Sequence, residues 1–173
     1  MKKIIFPMLV LPLMALCFPM DLNAQSTEQE LDQVELMKQF IGKWIAETGE
    51  DSTQIWEAIP FGSGYEVNVS WQAKGETYST VKGLLGFASQ KKLLNWYHLY
   101  PESGIVVEDV GKFVTDKKLV MERFNVDHTW SPARFEINII TPDKWNFTFE
   151  WRGKKESWDD AVVTESVWTR VKK

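Results

Sequence analysis

The chain has 173 residues, with 20 Lys and Arg against 24 Asp and Glu and a formal net charge of −4. That balance argues against a nucleic-acid partner, since phosphate binding needs a concentrated basic surface and the short clusters Lys91-Lys92 and Lys154-Lys155 lie in turns. A single cysteine excludes an intrachain disulfide, so the chain must be held by one hydrophobic core, and its length fits one domain.

The chain opens with Lys2 and Lys3, an apolar run from Ile4 to Met20 interrupted by Pro7, Pro12 and Pro19, and then Asp21-Leu22-Asn23-Ala24-Gln25. This pattern predicts a signal peptide over residues 1–24, cleaved after Ala24, with a mature domain over 25–173 in the periplasm or outside a bacterial cell. The run is slightly short and proline-broken, so no membrane span is expected after cleavage. Cys17 follows Leu16 where lipid attachment wants a small residue, which makes a lipid anchor the lesser alternative. Cleavage removes Cys17 and leaves the mature chain one charge more negative.

From Ser26 to Ile41, Leu31, Val34, Met37, Phe40 and Ile41 recur at helical spacing, and Thr27 with Glu30 forms a capping box. One short amphipathic helix is predicted. Its polar face is acidic, which suits a lid packed on the rest of the fold better than a membrane surface.

After Gly42 the chain alternates. Strands are predicted over Lys43 to Thr48, Thr53 to Ile59, Tyr65 to Ala73, Glu76 to Phe87, Lys92 to Tyr100, Ile105 to Thr115, Lys118 to Val126, Ala133 to Thr141, Lys144 to Arg152 and Ala161 to Val171. The separators are short turn sequences such as Gly49-Glu50-Asp51, Lys74-Gly75 and Pro142-Asp143, which join antiparallel neighbours and leave no room for a crossover helix. In the ninth run, Trp145, Phe147, Phe149 and Trp151 share one face, with Asn146, Thr148, Glu150 and Arg152 on the other. Four rings of this kind remove roughly 600 to 1,000 Å² from water, so the strand faces a thick interior.

Ten meandering strands leave two open edges unless the sheet closes on itself. The predicted fold is therefore all-β, an up-and-down antiparallel β-barrel of about ten strands with one short N-terminal helix; a sandwich is the alternative. Gly83, Gly86 and Gly111 stand inside strands, where a barrel wall bends.

Phe40-Ile41-Gly42-Lys43-Trp44 opens the first strand and Trp168-Thr169-Arg170 ends the last. This pairing resembles the lipocalin-like, or calycin, barrels, in which a Gly-x-Trp follows a short helix and a basic residue of the final strand packs over that Trp. Gly83-Leu84-Leu85-Gly86, followed by strands with a central Trp96 and an internal Gly111, is similar to a secreted bacterial lipocalin-like family of unknown function. The resemblance covers about Leu36 to Arg170 and implies a barrel with a cavity, but no catalytic residue. The Thr-Asp-Tyr turn and the disulfides of typical lipocalins are missing.

Chemistry-bearing motifs are sparse. Neither His98 nor His128 has a second histidine two residues away, so no His-x-His metal pair arises, and neither a metal nor a cofactor is expected. Haem ligation by His98 is a minor alternative suggested by related nitrobindin-like barrels, which place the ligand near the last strand, where this chain has Glu165 and Trp168. Gly62-Ser63-Gly64 reads as a turn, not a nucleophile elbow. Glu108 and Asp109 point to opposite faces of one strand, and Asp159-Asp160 lies in a loop. Asn68-Val69-Ser70 and Asn146-Phe147-Thr148 match the glycosylation pattern by chance within strands.

The inward sets expected are Tyr65, Val67, Val69 and Trp71, then Leu94, Trp96, His98 and Tyr100, then the ladder from Trp145. The candidate ligand-binding residues are Trp71, Trp96, His98, Tyr100, Glu122, Trp145 and Phe147, with Glu122 or Glu165 beside His98 as the polar group. Within the ladder, Trp151 is expected beside Trp44 and Trp145 toward the mouth. The functional expectation is a non-enzymatic barrel that binds a small apolar or amphipathic molecule. Two alternatives stand beside it: an enzyme using His98 as general base, and a surface module marked by an exposed apolar patch.

Overall fold

The computed structural model describes residues 30–124 and 131–172, so the predicted signal peptide, Cys17, Thr27 and His128 lie outside the described residues. The helical segment is shorter than Ser26 to Ile41. Helix α1 spans Gln33–Met37 and continues as a single 3₁₀ turn, Lys38–Phe40. Asp32 caps it by accepting from the Glu35 N–H at 2.9 Å, which satisfies one of the free donors of the first turn. Ile41 then turns to extended backbone and ends it.

Ten strands follow: β1 Gly42–Gly49, β2 Ser52–Phe61, β3 Gly64–Ala73, β4 Glu76–Ala88, β5 Leu93–Tyr100, β6 Ile105–Thr115, β7 Lys118–Phe124, β8 Ala133–Thr141, β9 Lys144–Trp151 and β10 Val162–Arg170. Each pairs antiparallel with the next, and β10 pairs with β1, so the sheet is a closed up-and-down barrel. Closure rests on two register pairs, Trp44↔Arg170 and Ile45↔Thr169. All ten predicted strands are present within the described residues, with Val126 of the seventh lying outside them, because a period of two over many residues admits one geometry when one face is buried.

Arg170 does more than complete a ladder. Its guanidinium lies over the Trp44 ring, 4.1 Å from the centroid, and its nitrogens donate to the carbonyls of Pro142 at 3.1 Å, Gln39 at 3.0 Å and Ile41. One planar fork thereby ties the end of β10 to the helical segment and to the turn between β8 and β9. Around it the floor is aromatic: Phe40 stacks on Phe113 at 5.8 Å, Trp145 on Trp168 at 4.9 Å, and Trp44 meets Trp145 edge-on at 5.6 Å.

Gln33 fastens the helix to the wall. Strand β6 runs past the last β5 register pair, Leu94↔Gly111, leaving the backbone of Phe113 without a strand partner on its β5 side. The Gln33 amide takes that place, donating to the Phe113 carbonyl at 3.1 Å and accepting from its N–H at 2.7 Å. A buried amide with both ends satisfied is as good as another rung.

The ladder on β9 runs opposite to expectation. Trp145 is buried at the floor against Trp44, Phe147 and Phe149 are half-buried, and Trp151 is 41 % exposed at the other end. In an up-and-down meander alternate strands run parallel, so β9 enters at the same end as β1 and its first ring meets the floor.

Two of the three intrastrand glycines mark close approaches. A Cβ at Gly111 would lie 1.9 Å from the Val120 carbonyl oxygen, and one at Gly83 would lie 2.4 Å from that of Tyr97; at Gly86 the space is open. Gly111→Ala is therefore expected to lower stability by about 1 to 3 kcal/mol, while Gly86→Ala changes it by less than about 0.5 kcal/mol or raises it. Urea unfolding of the two variants checks this. By the same assay Arg170→Lys should cost about 1 to 3 kcal/mol, because an ammonium cannot serve three carbonyls and a ring face together.

Candidate functional site

Inward alternation on β5, β6 and β7 brings three polar side chains to one wall of the barrel. On β5 the inward residues are Leu94, Trp96, His98 and Tyr100; on β6, Val107, Asp109, Gly111 and Phe113; on β7, Leu119, Met121 and Arg123. Register places Asp109 opposite both Trp96 and Arg123, one step diagonally from His98. His98 Nε2 and Asp109 Oδ2 are 2.6 Å apart, and Arg123 donates from Nε to Oδ1 at 2.9 Å and from Nη2 to Oδ2 at 3.2 Å.

Asp109 is 1 % exposed. Burial by itself pushes its carboxyl upward, but hydrogen bonds from His98 and Arg123, with the guanidinium charge, outweigh that and hold it below the usual carboxylate range. An ionised carboxylate only accepts, so the hydrogen between His98 and Asp109 belongs to Nε2. In the neutral form of the ring the lone pair is therefore on Nδ1. The ring stacks on Trp96 at 4.0 Å and 10°, and the near-parallel Tyr100 ring lies at 6.2 Å and 23°. Burial also raises the Tyr100 hydroxyl, partly offset by the Arg123 charge.

This wall faces a cavity of about 340 Å³ inside the barrel. Its inner end is formed by Trp56, Trp96, Trp145 and Trp168, and Trp71, Phe147 and Phe149 line it toward the mouth. Gly83 on β4 leaves the space against which the Trp96 indole edge lies. The indole N–H groups of Trp56, Trp96 and Trp145 are buried with no nitrogen or oxygen acceptor in the structure described. They lie in a cluster of edge-on rings, Trp56 to Trp96 at 5.0 Å and Trp56 to Trp145 at 6.2 Å, where ring faces are the available acceptors.

A larger depression, about 1020 Å³, lies on the outside near the seam of β1 and β10, beside Glu47, Asn146, Thr148 and Glu165. Also outside, Leu84, Tyr97, Leu99 and Val106 are neighbours by register across β4 to β6 and form an exposed apolar strip. The interior cavity is the candidate site because it joins apolar walls to polar groups that converge.

Trp71, Trp96, His98, Tyr100, Trp145 and Phe147 all line that cavity, although Trp145 does so from its floor and not its mouth. Glu122 does not. It is exposed on the outer face, since Arg123 takes the inward position on β7, and Glu165 is likewise exposed. The carboxylate beside His98 is Asp109, while Glu108 points outward and accepts from Tyr97 at 2.8 Å and Asn95 at 2.6 Å. The sequence signal for Asp109 and Arg123 is a lone charge in an apolar inward set: Asp109 among Val107, Gly111 and Phe113, and Arg123 after Leu119 and Met121. Among the described residues no cluster of three or more His, Cys, Asp or Glu side chains is placed to hold a metal ion. Comparison with models of known protein families and with curated proteins finds no match. The closed ten-stranded barrel is consistent with a calycin-like fold.

Asp109→Asn removes the carboxylate that pairs with the buried Arg123 and should cost about 3 to 5 kcal/mol at neutral pH. Because the folded Asp109 value lies below the unfolded one, its stabilisation is complete above the ordinary aspartate value near about 4 and is lost as pH falls through the lower folded value. Urea unfolding across that acid range should show this loss in the wild type and not in Asp109→Asn. Adding Arg123→Met should restore part of the stability at neutral pH.

Proposed function

We propose that the protein is a binding barrel that holds a small, largely apolar molecule in its interior without transforming it. The observation that carries this reading is the ring-walled cavity of about 340 Å³, a size within the range of small-molecule sites, roughly 300 to 1,000 Å³. Tryptophan and phenylalanine walls supply apolar area, and the His98–Asp109–Arg123 wall supplies orientation. The protein is, on this reading, a secreted lipocalin-like barrel of a bacterial envelope. Its support is the leader pattern before Gln25 and the packing of Arg170 over Trp44 beside the Gly42-Lys43-Trp44 opening.

A second reading has its own support. The 2.6 Å contact between His98 and Asp109 is the arrangement of an oriented general base, with the Nδ1 lone pair available to take a proton from a bound molecule. Deuterium uptake at the α-carbon of cyclohexenone in D₂O would favour that reading if it vanished in His98→Phe, and background uptake alone would remove it.

For the binding reading, native mass spectrometry of protein purified from its host compartment should show an added small-molecule mass. Val81→Phe fills the cavity from the β4 wall and should weaken binding of naphthalene, followed by tryptophan fluorescence, about tenfold or more. No added mass, together with no naphthalene binding by the wild type, would sink the proposal.

A further inference from the structure

We propose that the cavity selects neutral molecules carrying a hydroxyl or N–H donor on a flat apolar body, with His98 Nδ1 as the acceptor that reads the donor. This inference deepens the binding reading and rests on it. The polar lining of the cavity includes Trp71, Tyr100 and Arg123, and among its other polar groups one is an acceptor suited to a donor on the ligand. Asp109 receives from His98 and twice from Arg123, so both its oxygens are engaged. The Trp168 N–H donates to Ser166 Oγ at 2.9 Å, and the N–H groups of Trp56, Trp96 and Trp145 are closed off among rings. Gln54 and Thr164 stand at the mouth, opposite Trp71 and Phe149. His98 differs from all of these. Its Nε2 is committed to Asp109, while Nδ1 has no hydrogen bond among the described residues, and the residue lines the cavity.

Three features make that lone pair a selective element. Asp109 sets the tautomer, so Nδ1 of the neutral ring accepts. Trp96 stacks on the imidazole at 4.0 Å and the near-parallel Tyr100 ring lies 6.2 Å away, which limits its swing. Arg123 balances the Asp109 charge, so this pair of described residues carries no surplus negative charge to draw a cation, and a neutral donor is the better fit. The aromatic walls favour a flat body, which stacks or meets rings edge-on.

The test uses three probes with one ring system: 2-naphthol, which donates; 2-methoxynaphthalene, which only accepts; and naphthalene. Calorimetry or tryptophan quenching with the purified wild type should show 2-naphthol bound about tenfold tighter than the other two, the size expected for one buried hydrogen bond. In His98→Phe the three affinities should become equal. Nitrogen-15 spectra of the wild type provide a check that needs no variant: in the free protein the Nε2 signal should be that of a protonated nitrogen and the Nδ1 signal that of a lone pair, and only 2-naphthol should shift Nδ1. If naphthalene binds but 2-naphthol and 2-methoxynaphthalene bind alike, or if the preference survives in His98→Phe, the donor inference is wrong and the binding reading stands. If none of the three binds, the binding reading itself fails and takes this inference with it.

Discussion

The barrel closes on two rungs, and Arg170 bears on both sides of that closure. A ten-stranded sheet joined to itself at Trp44↔Arg170 and Ile45↔Thr169 has little ladder with which to hold its first and last strands together. The guanidinium makes up for this by reaching beyond the sheet, to a ring face below it and to carbonyls of the helical segment and the β8 to β9 turn. Because the floor is gathered in this way, aromatic side chains from several strands can pack there in contact. The cavity begins where that packing stops.

The polar wall of the cavity carries a cost that apolar residues of the same volume would avoid. A buried carboxylate and guanidinium lose their hydration, and their attraction roughly offsets that loss when the geometry is good. What the arrangement secures is direction: His98 is held in one tautomer and one orientation by a carboxylate that is itself held by Arg123. The three residues come from three successive strands, so the register of two ladders sets their spacing. A slip of one residue in either ladder would turn the group out into solvent.

Much of this was legible in the alternation. Period two over ten runs identifies the strands, and the absence of long connections leaves a meander that must close. Which end of the ladder is deep is not legible in the residues themselves, because it depends on the parity of strand direction around the barrel and not on any property of Trp145 or Trp151. Glu122 illustrates a related difficulty. Glu122 and Arg123 are adjacent charges, and only carrying the phase of Leu119 and Met121 forward shows that Arg123 is inside. Asp109 was seen to lie on the opposite face from Glu108, but its inward direction follows from the phase of Val107 and Phe113. Apolar spacing also does not set where the described helix starts: Asp32 with Glu35 repeats the polar pattern of Thr27 with Glu30, and Asp32 is the residue that caps it. The role of Gln33 had no sequence signal, since it answers a strand overhang that appears only once β5 and β6 are paired.

That Gln33 contact gives the helical lid an unusual kind of anchorage. The amide meets the main chain of Phe113, so what it recognises is a length mismatch between two neighbouring strands and not the residue that occupies the site. On the barrel side the recognition is blind to side-chain identity. Position 113 can answer to the needs of the core, while this one contact depends on the amide that faces it. The attachment is in that sense modular: a wall strand that outruns its neighbour by one rung offers the same docking edge to any helix able to present a buried amide at that height.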